Sequence, residues 1–151
     1  MSVGDFCNRE VIIASTTTSI FEIAQLMREQ HVGCVVIVRN SGGNNIPIGI
    51  ITDRDIVVEV VAPAVDLDSI TAGDVMSTEL VTAREIDGIW ETLQRMRAHG
   101  VRRIPVINDE KVLVGIITVD DVLEALVGEL NEVVGLISRE QLKEKSTRTV
   151  P

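Results

Sequence analysis

One short segment occurs twice in this chain. Residues 49–55 read Gly-Ile-Ile-Thr-Asp-Arg-Asp, and residues 115–121 read Gly-Ile-Ile-Thr-Val-Asp-Asp. In both copies a glycine precedes a short β-branched run, which predicts a buried strand, and a threonine stands where that strand would give way to a helix. A chain that repeats such a unit is expected to fold as two similar halves, each containing a strand followed directly by a helix.

The residues around this segment repeat in step with it. At an offset of 69 positions, Gly4-Asp5 returns as Gly73-Asp74, Ile20 as Ile89, and Met27-Arg28 as Met96-Arg97. The offset later falls to 66, because the second hairpin turn, at residues 108–111, is three residues shorter than the first. Loops absorb such length changes without altering the fold. The 151 residues are therefore interpreted as two tightly coupled half-domains.

Each half is expected to run strand, helix, strand, strand, helix. In the first half the apolar spacing predicts a strand at residues 11–13, a helix from Ile20 to His31 and a strand at residues 35–38. Residues 40–45 are a hairpin loop by composition, followed by a strand at residues 47–51 and a helix at residues 53–61 that ends near Pro63. The expected organisation is repeat one at 4–62, a connector at 63–72, repeat two at 73–128, a C-terminal helix at 129–145 and a frayed tail at 146–151.

Composition narrows the possible functions. The formal net charge of -9 argues against binding to nucleic acid or to anionic membranes, both of which require clustered Lys and Arg. No apolar run approaches the roughly 20 residues needed to span a bilayer. Cys7 and Cys34 have no metal-ligand or redox spacing, and no signal peptide is apparent. We expect a soluble cytoplasmic protein without a metal site or cofactor.

The repeated Thr-x-x-Asp pairs have two interpretations. The threonine is a plausible helix N-cap, and an Asp in the first helical turn is favoured by the helix dipole. On this structural interpretation each pair is a capping box with Asp in place of the usual Glu. The other interpretation is a ligand site, and the recurrence of both residues in step with their surroundings favours it.

Taken together, these features resemble a tandem pair of cystathionine β-synthase (CBS) domains over residues 4 to about 128. The duplicated Gly-Ile-Ile-Thr-x-x-Asp unit, Gly-Asp-Val-Met at residues 73–76 and Val-Arg-Arg-Ile-Pro-Val at residues 101–106 carry the resemblance. It implies an α/β fold of two β-α-β-β-α repeats around a pseudo-two-fold axis, with two clefts that hold adenosine-containing ligands. One departure is that residues 5–8 lack the Met and the Ser or Thr usual in the family.

The resemblance also implies which residues line the clefts. Asp55 and Asp121 would accept hydrogen bonds from ribose hydroxyls, while Thr52 and Thr118 would reach the ribose or phosphate. An adenine ring needs an apolar slot. The residues expected to supply this slot are Ile50, Ile116, Val81, Val101, Ile12 and Val32.

Phosphate requires cations, and the chain offers an arginine pair for it. Arg102 and Arg103 stand where many family members carry phosphate-contacting basic residues, and Arg54 is a further candidate. The alternative for the pair is a solvated strand end paired with nearby Glu. The resemblance implies that each cleft combines the Thr and Asp of one repeat with the strand start of the other, so Thr52 and Asp55 are expected to share a cleft with this pair. Thr118 and Asp121 are expected to share the other with residues 33–34 and hence to lack a cation, which predicts unequal clefts for a phosphorylated ligand.

Three classes of function are compared. The first is a regulatory module that binds AMP, ADP, ATP or S-adenosylmethionine and passes a shape change to a regulated partner. The second is a dimeric scaffold with vestigial clefts. An enzyme is not expected, because His31 and His99 suit helix C-termini, and Cys34 with His31 lacks a third group to orient the histidine. A homodimer is expected through two helical faces, residues 20–30 with 53–61 and 89–99 with 118–127.

Overall fold

Repeat one contains a three-stranded sheet with helices packed on it. A computed structural model describes residues 1–148. The sheet has the order β1-β2-β3, with β1 parallel to β2 and β2 antiparallel to β3. The elements in chain order are α1 (Val3–Phe6), β1 (Ile13–Ala14), α2 (Ile20–Gln30), β2 (Cys34–Ser41), β3 (Asn44–Thr52) and α3 (Asp53–Ile56), which continues into a π-helical turn at Val57–Val61.

Repeat two has the same layout, which confirms the predicted α/β fold. A 3-10 turn (Leu67–Ser69) precedes it, and its sheet has the order β4-β5-β6 with the same parallel and antiparallel pairings. The elements are α4 (Ala72–Val75), β4 (Ala83–Arg84), α5 (Ile89–His99), β5 (Arg103–Ile107), β6 (Leu113–Thr118) and α6 (Val119–Thr147). Thus the last helix of repeat two runs without interruption into the predicted C-terminal helix.

The segment that leads into each repeat packs on the other repeat. Val3 of α1 is fully buried in the core of repeat two, and Ala72 of α4 is fully buried in the core of repeat one. After α1, the backbone N–H of Asn8 donates to the carbonyl of Ile116 at 2.8 Å. After α4, the N–H of Ser77 donates to the carbonyl of Ile50 at 3.2 Å. This exchange ties the two halves together.

The exchanged segments explain the glycine that opens each repeated unit. A Cβ built on Gly49 would lie 2.5 Å from the Met76 sulfur, and one on Gly115 would lie 2.8 Å from the Cys7 sulfur. A Cβ at either position would therefore have to displace the facing side chain, and glycine is the residue that fits without doing so. Cys7 therefore fills in repeat two the place that Met76 fills in repeat one, which accounts for the departure at residues 5–8.

The two sheets also contact each other directly. Val36 and Val38 of β2 form a buried cluster with Ile116 of β6, and Val11, Cys34, Ile50 and Leu113 pack around it. Each sheet thus covers a helix layer on one side and faces the other repeat on the opposite side.

Within residues 1–148 no helix is both long enough and apolar enough to cross a membrane.

Three local predictions were wrong in detail. The loop predicted at residues 40–45 is a two-residue turn, Gly42-Gly43, with φ of 60° and 87°, because two glycines permit the tight turn that lets both strands extend. The strand predicted at residues 11–13 begins only at Ile13. The helix predicted at residues 53–61 changes from α to π geometry at Val57.

Candidate functional site

Two clefts lie where the repeats meet, and each takes residues from both. The first, called the Thr118 cleft, has a volume of about 350 Å³. Thr118 and Asp121 at the start of α6 line it together with Val32, Gly33 and Cys34 from the start of β2. The remaining lining residues are Asn8, Glu10, Val11, Ile12, Arg102, Arg103, Ile116, Val119 and Asp120. The predicted grouping of Thr118 and Asp121 with residues 33–34 is thus observed.

The second, called the Thr52 cleft, has a volume of about 440 Å³. Thr52 at the end of β3 lies in it opposite residues from the start of β5. The lining residues are Ile50, Thr52, Asp53, Arg54, Gly100, Val101, Arg102 and Arg103. Both volumes fall in the range of pockets that take small organic ligands, roughly 300–1,000 Å³.

Both Thr-x-x-Asp pairs form capping boxes. The backbone N–H of Thr52 donates to Oδ2 of Asp55 at 2.8 Å, and the N–H of Asp55 donates to the Thr52 hydroxyl at 3.1 Å. Thr118 and Asp121 repeat these bonds at 2.8 and 3.2 Å. The structural interpretation of the pairs is therefore confirmed. The boxes also hold each threonine in its cleft, so capping and ligand binding are compatible.

Arg103 occupies a different place from the one expected. A Cβ built on Gly33 would lie 3.1 Å from Nη1 of Arg103 and 3.4 Å from Oδ2 of Asp53, so the half-buried guanidinium reaches the start of β2 in the other repeat. Arg102 and Arg103 line both clefts. The expectation that the Thr118 cleft lacks a cation is wrong, because the long Arg103 side chain extends from the start of β5 to Gly33 of the other repeat and lines this cleft as well.

The surroundings of Cys34 make it a poor nucleophile. Burial raises the pKa of its thiol, and the neighbouring Arg103 guanidinium opposes this only in part. A thiol with a raised pKa carries little thiolate at neutral pH, and the thiolate is the reactive form. Among the described residues, no group of three or more His, Cys, Asp or Glu side chains is arranged to hold a metal ion.

The two clefts differ in the charges that line them. Three arginines, Arg54, Arg102 and Arg103, line the Thr52 cleft together with the single carboxylate of Asp53. The Thr118 cleft shares Arg102 and Arg103 but adds three carboxylates, those of Glu10, Asp120 and Asp121. The potential in the Thr52 cleft is accordingly the more favourable for an anion.

Two predicted site residues lie outside the clefts. The lining of the Thr52 cleft does not include Asp55, whose side chain is held in its capping box, or Val81, which packs against the core of repeat two. Several lining residues were not predicted, namely Asn8, Glu10, Val11, Asp53, Gly100, Val119 and Asp120. Three of these could have been predicted from the sequence because they lie inside the repeated units: Asp53, Val119 and Asp120. Two others, Asn8 and Glu10, reach the cleft only because the lead-in segments are exchanged between the repeats.

Comparison with known proteins agrees with this architecture. The family model of the CBS domain matches residues 3–62 and 72–128. An uncharacterized protein of Methanopyrus kandleri is 40% identical over 124 residues, which cover 82% of this chain and 62% of that relative. This chain thus spans less than two thirds of the length of that relative.

Two similar solved structures contain adenosine compounds. The CBS domain pair of protein MJ0100, in complex with 5′-methylthioadenosine and S-adenosyl-L-methionine, is 26% identical with a TM-score of 0.74, covering 85% of this chain and 98% of that one. A CBS domain protein from Pyrobaculum aerophilum complexed with AMP is 25% identical with a TM-score of 0.73, covering 80% of this chain and 89% of that one. With its two matched repeats, exchanged lead-in segments and paired clefts, this chain belongs to the CBS domain family.

Proposed function

We propose that this protein is a regulatory module that binds an adenosine-containing ligand between its repeats and passes the resulting change of shape to a partner protein. The observation that supports this best is the construction of the clefts. In each, a capped Thr-x-x-Asp unit of one repeat faces the start of a strand in the other. A ligand in such a cleft contacts both repeats, so it favours the arrangement that brings them together. The protein would sense rather than catalyse, and its setting would be the cytoplasm.

Ligand groups can be assigned to the chemistry of each cleft. The hydroxyls of Thr52 and Thr118 are acceptors for ribose hydroxyls in their clefts. In the Thr118 cleft the Asp121 carboxylate is a further acceptor, with its Oδ2 already engaged in the capping box. Ile50 and Val101 in one cleft, and Ile12, Val32 and Ile116 in the other, offer apolar surface to an adenine ring. Arg102 and Arg103 line both clefts and would bind a phosphate in either of them. AMP, ADP, ATP and S-adenosylmethionine all carry the adenosine that these groups would recognise.

The clefts are proposed to be unequal for phosphorylated ligands. The Thr52 cleft has the better ratio of arginines to carboxylates, and each hydrogen bond to a charged group contributes roughly 1.5–3 kcal/mol. AMP should therefore enter the Thr52 cleft first. An uncharged ligand such as adenosine should distinguish the two clefts less.

A thermal-shift screen with AMP, ADP, ATP, S-adenosylmethionine and adenosine tests the function. A ligand present at 100 times its dissociation constant and bound only to the folded state stabilises it by about 2.7 kcal/mol, so a clear rise in Tm is expected for at least one of them. GMP is the control, since it has the same phosphate with a different base. If none of the adenosine compounds raises Tm, or GMP does so equally, the proposed function is wrong.

A dimeric scaffold is the second candidate, because apolar side chains are exposed at equivalent positions of both repeats. Phe21 and Trp90 correspond in the two repeats and are 51% and 59% exposed. Val57 and Leu123 also correspond, at 56% and 54%. We propose a homodimer formed through these helical faces, which is compatible with either function.

A further inference from the structure

The two clefts carry opposite charges at equivalent positions. Arg54 and Asp120 correspond at the offset of 66 positions, and each is the second residue of the helix that begins at its cleft. Arg54 lines the Thr52 cleft, and Asp120 lines the Thr118 cleft. A ligand group held at the same place in both clefts would therefore meet a cation in one and an anion in the other.

A second difference in charge comes from the exchanged lead-in segments. Glu10 lines the Thr118 cleft, whereas its equivalent at the offset of 69 positions, Glu79, is not among the residues that line the Thr52 cleft. The exchange thus adds a carboxylate to one cleft only. Because Arg102 and Arg103 line both clefts, they contribute nothing to the difference between them.

The segment that carries Glu10 is fixed against repeat two. Asn8 exchanges two backbone hydrogen bonds with Ile116, at 2.8 and 2.9 Å, and its side-chain Oδ1 accepts from the backbone N–H of Glu10 at 2.9 Å. Between them, Arg9 forms an ion pair with Glu85 of repeat two. These contacts hold the backbone on both sides of Arg9, which keeps the Glu10 carboxylate at the cleft.

The charges that distinguish the clefts are not neutralised by the protein itself. Within residues 1–148, none of Glu10, Asp120 and Arg54 takes part in an ion pair. A cationic group on a ligand would gain carboxylate partners in the Thr118 cleft, and an anionic group would be repelled by the same carboxylates. In the Thr52 cleft the signs are reversed, since Arg54 stands where the other cleft has Asp120.

We propose that the two clefts sort adenosine compounds by the charge of the group at the ribose 5′ position. The Thr52 cleft takes an anionic group there and the Thr118 cleft a cationic one, with Glu10 and Asp120 setting the second preference. The inference rests on the proposed function and adds that one chain responds to two ligands of opposite charge. S-adenosylmethionine, whose sulfonium is attached to the 5′ carbon, has the chemistry that fits the Thr118 cleft.

Three adenosine compounds that differ only at the 5′ position test the sorting. They are AMP, adenosine and 5′-amino-5′-deoxyadenosine, which carry a phosphate, a hydroxyl and an ammonium group. Full-length ¹⁵N-labelled protein is titrated with each, and the backbone amides of Thr52 and Thr118 report the two clefts separately. Each exposed carboxylate should contribute about threefold, so the amino compound is expected to bind the Thr118 cleft about tenfold more tightly than adenosine does.

A matched pair of variants tests the role of Glu10. Glu10→Gln should lower the preference of the Thr118 cleft for the amino compound about threefold, and Glu79→Gln, at the equivalent position outside the cleft lining, should leave it unchanged. Arg54→Asp should give the Thr52 cleft a preference for the amino compound over AMP.

The outcomes separate this inference from the proposed function. If the Thr118 cleft binds the amino compound and adenosine equally, or if the two glutamine variants have equal effects, the sorting is wrong while adenosine binding stands. If none of the three compounds shifts either amide signal, both the sorting and the proposed function are wrong.

Discussion

At the scale of single residues, Arg103 has the most unexpected position. It is the counterpart of Cys34 at the offset of 69 positions, and both residues begin the middle strand of their sheet. The structure places the two positions close together, so a long cation stands opposite a small thiol and reaches Gly33. Since the Arg103 side chain lines both clefts, a single substitution should affect both.

We predict that Arg103→Ala weakens AMP binding in both clefts while leaving adenosine binding nearly unchanged. Loss of one hydrogen bond to a charged phosphate, roughly 1.5–3 kcal/mol, corresponds to about tenfold or more in affinity. Isothermal titration with AMP and with adenosine measures both effects, and Arg28→Ala, an exposed arginine outside the clefts, is the control. An unchanged AMP isotherm would show that Arg103 does not contact the phosphate, and a change at one site alone would show that the guanidinium is not shared.

At the scale of elements, the exchange of α1 and α4 decides how the halves are joined. Each short helix buries an apolar residue in the opposite core, and the segment after it forms a β-bridge with the last strand of the opposite sheet. The close approach of Met76 to Gly49 is one half of this exchange and that of Cys7 to Gly115 is the other. Loss of either contact would separate a lead-in segment from the edge strand of the opposite sheet.

Gly49→Ala should destabilise the protein, because the added Cβ would meet the Met76 side chain, including its Cβ at 3.1 Å. Overpacking of a tight core contact costs typically 1–3 kcal/mol. Gly128→Ala is the control, since a Cβ on Gly128 meets nothing within 4 Å and alanine is the better helix former by roughly 1 kcal/mol. Urea unfolding followed by circular dichroism measures both variants. Adding Met76→Ala to Gly49→Ala should recover part of the loss, whereas additive losses would argue against the contact.

At the scale of the whole molecule, both repeats expose apolar residues at equivalent positions. The chain contains two Phe, one Trp and no Tyr, and two of these three aromatic residues, Phe21 and Trp90, are more than half exposed at the same position of each repeat. Isolated exposed apolar residues are ordinary, but a pattern duplicated over two helical faces is typical of an interface. A partner with the same pseudo-two-fold symmetry would cover both faces at once, and a second copy of the chain has it.

We therefore expect a dimer in solution, with Trp90 buried in its interface. Sedimentation equilibrium should give about twice the chain mass of 16.5 kDa at tens of micromolar, and dilution should shift the Trp90 emission to longer wavelength as the indole becomes exposed. Trp90 is the single tryptophan, so the fluorescence signal has one source. A monomer at these concentrations would contradict the proposal, and a dimer with invariant emission would place the contact elsewhere, for example along α6 alone.

Much of the fold could be predicted because its signals are local. The offset of 69 positions predicted the two repeats, apolar spacing predicted α2 and α5, and Thr52 and Thr118 were identified as N-caps from their immediate neighbours. Helical periodicity and capping depend on residues within about one helical turn, so a single amino-acid sequence is enough to detect them. The pairing of Thr118 and Asp121 with residues 33–34 was predicted only through the family resemblance.

The contacts between distant segments were decided by the tertiary structure. No local pattern shows that α1 packs on repeat two, that Glu10 lines the Thr118 cleft, or that Asp55 lies outside the lining of the Thr52 cleft. Arg103 was assigned to one cleft through the family resemblance, yet its long side chain lines both. Local propensity determines which elements form. The final positions of long side chains and of the lead-in segments depend on packing between residues that are far apart in the chain. These residues come together only when the two halves are assembled.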